Sequence, residues 1–433
     1  MAFVGTRRAL LGGSSLPRWA AGFDLWYNYQ VPQGSYPLSF PPATDTHSST
    51  TNALTPAATY QSFAANVPVR TGLGLQTVPT RTNSLQQSQT FNSATWTKLN
   101  GAIAADSTVA PDNTTTADTF TPDTTNGAHR VNQTFTSSVN TWAPSIFAKP
   151  NGYTKVYIRE SGVTGAYAVF DMTGAGSVLD QGSGGSGAAI TAVANGFYRI
   201  SMNYTGTAAS HVMTYGIPPT TYTTGAPTAN WVPDGTSGVF FWQAQAEVGA
   251  FPSPPILTTN ATATVNGNQQ VIDLTGKLGV GVSGFVQTKM VQTGAPTSQA
   301  VYFIDVSDGT SSNIIPLFWQ VTTGIITLGG VAGGVAGTNI TESSAYSGGT
   351  TETIAFSIGP TYKNFRRVGQ IANTAVTVDP YPVVNQAAVG GRGFDTARNG
   401  FQFTNKLALK FGDQNASTFA AAFAAAQLAA VSP

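Results

Sequence analysis

The feature that most constrains the fold of this chain is a series of short β-type runs separated by turn dipeptides. Between residues 86 and 262, β-branched and aromatic residues alternate in runs such as 156–159, 166–170, 197–204 and 239–244. Between them stand Asn-Gly or Asp-Gly pairs, which accept the positive φ angles of tight turns, at 126–127, 151–152, 195–196 and 234–235. Many short strands without an amphipathic helix predict an antiparallel β-sandwich over 86–262.

A second β-rich stretch covers residues 263–433. Its candidate strands are 280–290, 301–306, 314–319, 325–328 and 353–358. The tail predicts a helix that Asn415 or Ser417 caps, with Phe419 and Phe423 on one face and Leu428 nearly on the same face. This apolar stripe is more typical of core packing than of a binding groove. The chain of 433 residues is therefore expected to be all-β, with two consecutive antiparallel jelly-roll-like sandwiches and a short C-terminal helix.

Residues 1–85 differ in character from the rest of the chain. They are rich in proline and carry an aromatic cluster with no helical or strand period, formed by Trp19, Phe23, Trp26, Tyr27 and Tyr29. Such a segment does not close a core of its own. We interpret it as an irregular docking segment that packs on a partner through this cluster. The alternative is a coil that folds back on its own second domain.

The charge pattern excludes several classes of function. The sequence has 20 Lys and Arg against 19 Asp and Glu, and only 9% of its residues are charged. A protein that binds nucleic acid or an anionic membrane shows basic stripes, which this chain lacks. No segment reaches the roughly 18 consecutive apolar residues of a membrane span, and the Arg7-Arg8 pair is not followed by the apolar region of an export signal. We therefore expect no nucleic acid partner, no membrane insertion and no signal peptide.

Metal and cofactor chemistry has little support in the sequence. There is no cysteine, and His47, His129 and His211 lie about eighty residues apart, so zinc-type ligand spacing is missing. Asp308 with Asn313, or Asp305, supplies oxygen ligands for a structural Ca²⁺ ion, but their spacing does not match an EF-hand. We expect no cofactor.

Four blocks of residues, in this order, carry a resemblance to a known group of proteins. They are 63–98 (with Phe91 to Lys98), 110–118, 195–199 and 234–247, the last leading to Phe251-Pro252. Together they resemble structural proteins of tailed bacteriophages and prophages, such as tail fibres, head fibres and spikes. The resemblance implies a carbohydrate-binding-module-like jelly roll over 86–262.

The C-terminal stretch resembles a second module. Residues 306–314, 352–358, 390–392 and 399–401, with the terminal helix, are similar to a concanavalin-A-like or laminin-G-like sandwich. Related modules place an Asn-Gly hairpin after an Ala-Tyr-Lys strand, whereas residues 362–369 lack that turn. Ligand roles are therefore not carried over to this module.

Enzymatic activity is not predicted. A glycoside hydrolase needs two carboxylates about 5 to 10 Å apart across one bond, and the acids of 86–262 are scattered singly without an ExE, DxD or ExD pair. A pair assembled from different strands stays open, with Glu160 and Asp171 as its candidates.

Glycan binding is the function that the composition allows. Sugars bind to aromatic faces together with amide and hydroxyl groups, and the aromatic residues that stand beside polar or turn residues are Trp96, Trp142, Trp231 and Tyr222. The competing interpretation is that Trp142 and Trp242 are sandwich core, which is the commoner role of any single aromatic residue.

These observations lead to a functional expectation. The chain is predicted to be a non-enzymatic bacteriophage virion protein, exposed on the particle surface, that contacts other virion proteins through residues 1–60 and binds host surface polysaccharide. Fibres of this group are commonly homotrimers, so the resemblance implies a homotrimer with multivalent weak binding. The alternatives are a glycan-degrading spike enzyme and a purely structural decoration protein without a ligand.

Overall fold

The structure is a computed structural model, and it confirms the predicted all-β class. It describes residues 18–21, 23–30, 43–45, 50–138, 140–207, 209–276, 281–292, 296, 299–370, 381–392, 402–411 and 416–431. The chain divides into two compact units. The middle unit comprises His47–Ala65 and Thr80–Asn266, and the terminal unit comprises Met1–Thr46, Asn66–Pro79 and Gly267–Pro433.

The middle unit is built from two six-stranded antiparallel sheets. The first, in spatial order, contains β16 (Gly185–Ala192), β17 (Tyr198–Thr205), β12 (Thr141–Asn151), β19 (Gly238–Val248), β10 (Ala117–Pro122) and β9 (Gly101–Thr108). The second contains β15 (Ser177–Gln181), β14 (Tyr167–Asp171), β13 (Lys155–Glu160), β18 (Ser210–Ile217), β11 (His129–Thr136) and β8 (Thr97–Leu99). Two small ladders join β3 (Thr51–Leu54) to β4 (Tyr60–Phe63) and β7 (Arg81–Asn83) to β20 (Ala263–Val265).

The main core of the middle unit is rich in large aromatic and aliphatic side chains. Phe91, Ile146, Phe170, Tyr215 and Phe241 belong to one buried cluster that includes residues of both sheets. Between the strands, Asn195 has a φ of 58° and Gly196 a φ of 75° within a short 3-10 turn, Ala194–Gly196. This is the backbone geometry that an Asn-Gly pair favours.

The terminal unit contains two further antiparallel sheets. One contains β30 (Tyr362–Arg367), β29 (Thr351–Gly359), β22 (Val282–Met290), β32 (Gln402–Phe411), β6 (Gly74–Thr77) and β5 (Arg70–Thr71), and β1 (Leu25–Asn28) also pairs with β32. The other contains β2 (Ala43–Asp45), β21 (Gln270–Asp273), β31 (Gln386–Val389), β23 (Val301–Ser307), β24 (Ile314–Trp319), β25 (Ile326–Leu328) and β28 (Ile340–Thr341). Two short strands, β26 (Val331–Ala332) and β27 (Val335–Ala336), extend it beside β24.

The predicted C-terminal helix is present as α1 (Ala416–Val431). Phe419 is buried and Phe423 is half-buried against Phe285, which confirms core packing, whereas Leu428 is 39% exposed. The proposed cap Asn415 lies outside the described residues. None of the helices formed by the described residues is both long and apolar enough to span a bilayer.

The described part of residues 1–85 differs from the predicted irregular segment. It supplies β1, β2, β5 and β6 to the terminal unit and β3, β4 and β7 to the middle unit. Strand β1 pairs with β32 from Leu25 opposite Leu409 to Asn28 opposite Lys406. An irregular sequence becomes regular here because a neighbouring strand satisfies its backbone groups. The segment thus follows the alternative in which it folds back on its own chain.

The N-terminal aromatic cluster packs within the terminal unit. The burial of Tyr27 and Tyr29 corrects the docking role predicted for these two side chains, whereas docking through Phe23 and Trp26 stays a prediction. Tyr29 is fully buried, stacks on Tyr27 at 5.3 Å between ring centroids, and donates its hydroxyl hydrogen to Gln270 Oε1 at 2.7 Å. Phe23 and Trp26 are half-buried, and the Phe23 ring meets Phe285 edge-on at 5.8 Å. The side chain of Trp19 lies outside the described residues. Contact of residues 1–60 with other virion proteins stays a prediction.

The burial of Tyr29 makes this packing testable. Tyr29→Ala is expected to destabilise the terminal unit by about 3–5 kcal/mol through loss of buried ring area, and Tyr29→Phe by about 1 kcal/mol through loss of the hydrogen bond to Gln270. Chemical denaturation measures both. Val383→Ala, at a position 81% exposed, is the control and should leave stability nearly unchanged. A Tyr29→Ala variant as stable as the wild type would contradict the packed arrangement.

Candidate functional site

The candidate site begins at a β-bulge in β19. Ser145 of β12 lies opposite Gln245 of β19, and Phe147 lies opposite Trp242. The chain therefore advances two residues on β12 but three on β19, so β19 contains one extra residue. Gln243 takes a φ of 49° there, a region that non-glycine residues rarely occupy. A bulge bends its strand and turns a side chain away from the regular ladder.

One fully buried amide holds the bulged strand to its surroundings. Asn83 Nδ2 lies 3.1 Å from both Ala244 O and Ile256 O, and Asn83 Oδ1 accepts the N–H groups of Leu85 and Ala246 at 3.1 Å. These four contacts use the hydrogen-bonding capacity of the side chain fully. Asn83 therefore satisfies backbone groups of β19 beyond Phe241, where the β10–β19 ladder ends, and also the carbonyl of Ile256.

Residues 253–257, which follow β19, form one wall of the site beside the bulge. Gln245 Oε1 accepts the Ile256 N–H at 2.8 Å, and Glu247 Oε1 accepts the Ser253 N–H at 2.6 Å. Burial raises the pKa of Glu247, and the nearby Arg81 guanidinium opposes that shift. Because these acceptors are buried, the wall is fixed by hydrogen bonds that water does not compete for.

A buried cluster of aromatic rings packs beneath the bulge. The Phe147 ring packs edge-on against Trp242 at 5.0 Å and against Tyr60 at 5.4 Å. Trp242 Nε1 donates to Thr116 Oγ1 at 3.1 Å. Burial raises the pKa of the Tyr60 hydroxyl, although the charge of Arg199 opposes the shift. Tyr60 belongs to the β3–β4 hairpin, so this hairpin is anchored on the outer face of the sheet.

These elements enclose a groove of about 360 Å³, which lies at the small end of the range of roughly 300–1,000 Å³ for ligand pockets. Its lining mixes amides, hydroxyls, aromatic rings and aliphatic groups, with one carboxylate. The lining residues are Thr50, Asn52, Tyr60, Ser62, Gln89, Asp112, Trp242, Gln243, Pro255, Ile256, Leu257, Ala263, Thr264 and Val265.

The amide of Gln243 is the most informative group in this lining. The residue is only 3% exposed, yet its Oε1 atom accepts no hydrogen bond from the described residues. A buried acceptor without a partner costs about 1–3 kcal/mol. Gln243 therefore keeps an unmet acceptor just beneath the groove surface, and a bound donor reaches it only when the side chain turns toward the groove.

The sequence blocks that carry the fibre resemblance contact one another beside this groove. Asn195 Nδ2 donates to Ala110 O at 2.7 Å, which joins the third block to the second. The Phe91 N–H donates to Asp118 Oδ2 at 2.8 Å, and Trp242 reaches Thr116. The blocks thus form the scaffold of the site, and four lining residues belong to them: Gln89, Asp112, Trp242 and Gln243.

Two of the predicted sugar platforms are core residues, which corrects that prediction. Trp96 and Trp142 are each 1% exposed. Trp96 Nε1 donates to Gln87 O at 3.0 Å, and Trp142 packs against Phe135 and His211. Their ring faces contact protein on both sides and are not available to a sugar.

The other two predicted platforms lie elsewhere in the middle unit. Tyr222 is 6% exposed, with its hydroxyl oxygen 2.6 Å from Asp180 Oδ2 and 2.7 Å from Gly225 O. Trp231 is half-buried between His129 and Tyr153, each at 5.3 Å between ring centroids. Neither residue lines the groove.

The two carboxylates considered for glycoside hydrolysis are not brought together. Glu160 is buried and accepts the Val212 N–H at 3.0 Å, whereas Asp171 accepts the Thr173 N–H at 3.0 Å. In the strand register, Asp171 of β14 lies opposite Lys155 of β13. Lys155 is five residues from Glu160 along β13, a distance of roughly 16 Å. This separation exceeds the spacing of either class of glycosidase.

The loop considered for Ca²⁺ is closed by protein hydrogen bonds. Asp308 Oδ1 accepts the Thr310 N–H and hydroxyl at 2.9 and 2.6 Å, and Asp308 Oδ2 accepts from Asn313 Nδ2 at 2.8 Å. Asp305 is buried, and the Ser307 hydroxyl lies 3.4 Å from its Oδ1. Within the described part of the chain, no three His, Cys, Asp or Glu side chains are grouped to hold a metal ion.

Comparison with known proteins gives partial structural similarities. No family model matches the sequence, and no curated protein matches it significantly. The NanB sialidase of Streptococcus pneumoniae matches with a TM-score of 0.27 and 14% identity over 34% of this chain and 25% of that chain. The LG1–3 region of the laminin α2 chain matches with a TM-score of 0.25 and 12% identity, over 65% of this chain and 64% of that chain.

Mouse laminin α1 domains LG4–5 match with a TM-score of 0.24 and 11% identity, over 66% of this chain and 86% of that chain. The chain spans less than two thirds of the sialidase and of the laminin α2 region. The topology of the sheets, rather than these similarities, establishes the β-sandwich fold.

The hydroxyl of Tyr222 is expected to act in stability and not in ligand binding. Burial raises the pKa of Asp180, but hydrogen bonds from the Tyr222 hydroxyl and the Gly225 N–H outweigh burial and leave that pKa below its usual value. Tyr222→Phe should therefore destabilise the middle unit by about 1 kcal/mol at pH 7. A carboxylate with a depressed pKa contributes stability above its unfolded-state pKa and loses it as the pH falls through the folded value.

The difference in denaturation midpoint between wild type and Tyr222→Phe should accordingly narrow below about pH 4. Tyr198→Phe is the matched control, because the Tyr198 hydroxyl donates to the neutral Gly174 O at 2.8 Å. Its deficit should stay constant over the same pH range. If the loss of stability in both variants has the same pH dependence, the Tyr222 hydroxyl does not donate its hydrogen bond to the Asp180 carboxylate.

Proposed function

We propose that the middle unit is a glycan-binding module and that the groove beside the β19 bulge is its site. The observation that carries this proposal is the buried, unpartnered Oε1 atom of Gln243 in a groove lined with amides and hydroxyls. Sugar hydroxyls are the complementary donors, and each also accepts hydrogen bonds. A binding module, rather than an enzyme, is favoured because Glu160 and Asp171 are far apart.

The groove suits a sugar for a second reason. Leu257, which is 52% exposed, and the half-buried Ala263 line it, and the C–H faces of a pyranose ring pack on such apolar groups. Tyr60 and Trp242 are buried and support this lining from within the protein. The rim groups are held in place before a ligand arrives, since Asn52 Nδ2 donates to Pro255 O at 2.7 Å. A preorganised rim lowers the entropic cost of binding.

Gln243→Ala separates a binding role from a structural one. Because Oε1 has no partner in the free protein, removing the amide should leave stability unchanged or slightly higher. Loss of one or two hydrogen bonds to the sugar should weaken binding about fivefold to twentyfold. A glycan array identifies the ligand, calorimetry or ligand-observed NMR measures its affinity, and thermal denaturation measures stability.

Gln427→Ala, at an exposed position on α1, is the matched control and should change neither quantity. If Gln243→Ala binds the array ligand as tightly as wild type does, the groove is not the site. Shortening of the polysaccharide by the pure protein would support the glycan-degrading alternative. Absence of all glycan binding would favour a structural decoration protein.

We further propose that the chain is a bacteriophage fibre or spike protein exposed on the virion. The support is the ordered set of four sequence blocks that resemble such proteins. Residues 1–60 would contact other virion proteins, and three copies in a homotrimer would raise the avidity of a weak sugar site through effective concentration.

The assembly state tests this second proposal. Light scattering at micromolar protein concentration is expected to give three times the chain mass of 44.9 kDa. Mass spectrometry of purified particles should detect the chain, and antibodies against the middle unit should label intact particles. A monomer at these concentrations would contradict the fibre arrangement, and absence from the particles would contradict the virion location.

A further inference from the structure

We infer that the groove selects uncharged glycans and discriminates against acidic ones, an inference that rests on the proposed function. Among the described residues that line the groove, Asp112 is the one charged side chain. All its other polar lining groups are amides, hydroxyls or the phenol of Tyr60. Arg and Lys are the strongest partners for the carboxylate of a sialic or uronic acid, and this lining holds a carboxylate instead.

The Asp112 carboxylate is oriented by its own turn. Its Oδ1 atom accepts the N–H of Thr114 at 3.0 Å and the hydroxyl of Thr114 at 2.6 Å. The Oδ2 atom accepts no hydrogen bond from the described residues, and the side chain is half-buried. A fixed carboxylate oxygen with free acceptor capacity is matched to the hydroxyl donors of a neutral sugar.

Two arginines near the groove, Arg199 and Arg81, already contact other groups of the protein. Arg199 donates to Ser253 O and to Ser145 Oγ, the latter at 3.2 Å. Arg81 lies 3.5 Å from Glu247 Oε2, and its guanidinium lies over the Phe251 ring at 5.2 Å. The charge of Arg199 reaches the Tyr60 hydroxyl, but neither arginine lines the groove, so the carboxylate of an acidic sugar has no guanidinium to contact there.

The two ligand classes therefore differ in their response to the Asp112 charge. A neutral sugar gains a charge-assisted hydrogen bond, whereas an acidic sugar meets a like charge at short range across a partly desolvated groove. We expect the wild-type protein to bind acidic oligosaccharides at least about tenfold more weakly than neutral ones of the same length. Added salt screens the repulsion, so the acidic ligands should bind more tightly at high salt while the neutral ones stay unchanged.

The experiment compares the full-length protein with Asp112→Asn on immobilised neutral and uronic-acid oligosaccharides of equal length. The substituted amide keeps a side-chain oxygen for the Thr114 N–H, so the variant should retain the wild-type melting temperature. It should bind neutral sugars about fivefold to tenfold more weakly and narrow the gap between the two ligand classes. Asp123→Asn is the matched control, because Asp123 accepts the Thr125 N–H at 2.9 Å in the same kind of turn outside the groove.

The outcomes separate this inference from the proposal on which it rests. Binding of acidic oligosaccharides that is tighter than that of neutral ones, lost in Gln243→Ala, would overturn the charge selectivity and leave the groove as the site. An unchanged ratio between the classes in Asp112→Asn would also overturn it. Absence of binding to either class would overturn both.

Discussion

The site depends on one buried side chain, Asn83. Strand β10 stops pairing with β19 at Phe241, and unpaired backbone groups inside a protein are costly. Asn83 contacts the carbonyls of Ala244 and Ile256 and accepts from Ala246. It thereby satisfies β19 beyond the end of this ladder and ties the wall of the groove to the bulged strand. Gln245 and Glu247 add two further hydrogen bonds between β19 and the wall.

The side chain of Asn83 makes all the hydrogen bonds it can, whereas one side-chain oxygen on the bulged strand makes none. Gln245 and Glu247 place their side-chain oxygens on backbone N–H groups of the wall, whereas Gln243 keeps an unpartnered oxygen at the groove. Folding therefore leaves the unmet hydrogen-bonding demand of this region beside the groove. The same logic explains why the site has little charge. No Lys or Arg stands among the described residues that line it, so the selectivity that we propose comes from amides, hydroxyls and one carboxylate.

The sequence predicted the strands well and their burial poorly. Runs such as 156–159 and 197–204 lie in β13 and β17, and the Asn195-Gly196 pair adopts the positive φ angles that it favours. The prediction of exposed sugar-binding aromatic residues was wrong for Trp96 and Trp142. Alternation of polar and apolar residues identifies an exposed face only when one face of the sheet meets solvent. Strands β12 and β19 are buried almost throughout, since the main core covers one face and the β3–β4 hairpin with residues 253–257 covers the other. The polar neighbours of Trp142 on β12 therefore gave no guide to its exposure. Trp96 directly precedes β8 in the other sheet and is buried in the main core.

By itself, the sequence determined the fold class, the turn positions and the C-terminal helix, because β-branched alternation, Asn-Gly pairs and an alanine-rich apolar stripe act over a few neighbouring residues. It also determined that the surface is poor in charge. Only the tertiary structure decided which residues meet at a site. Residues 47–65 and 80–85 join the strands of the middle unit from a segment that looks irregular when read alone. The groove is assembled from positions as far apart as Asn52, Asp112, Gln243 and Thr264, and contacts at such separations depend on sheet order and strand register, which no local pattern encodes.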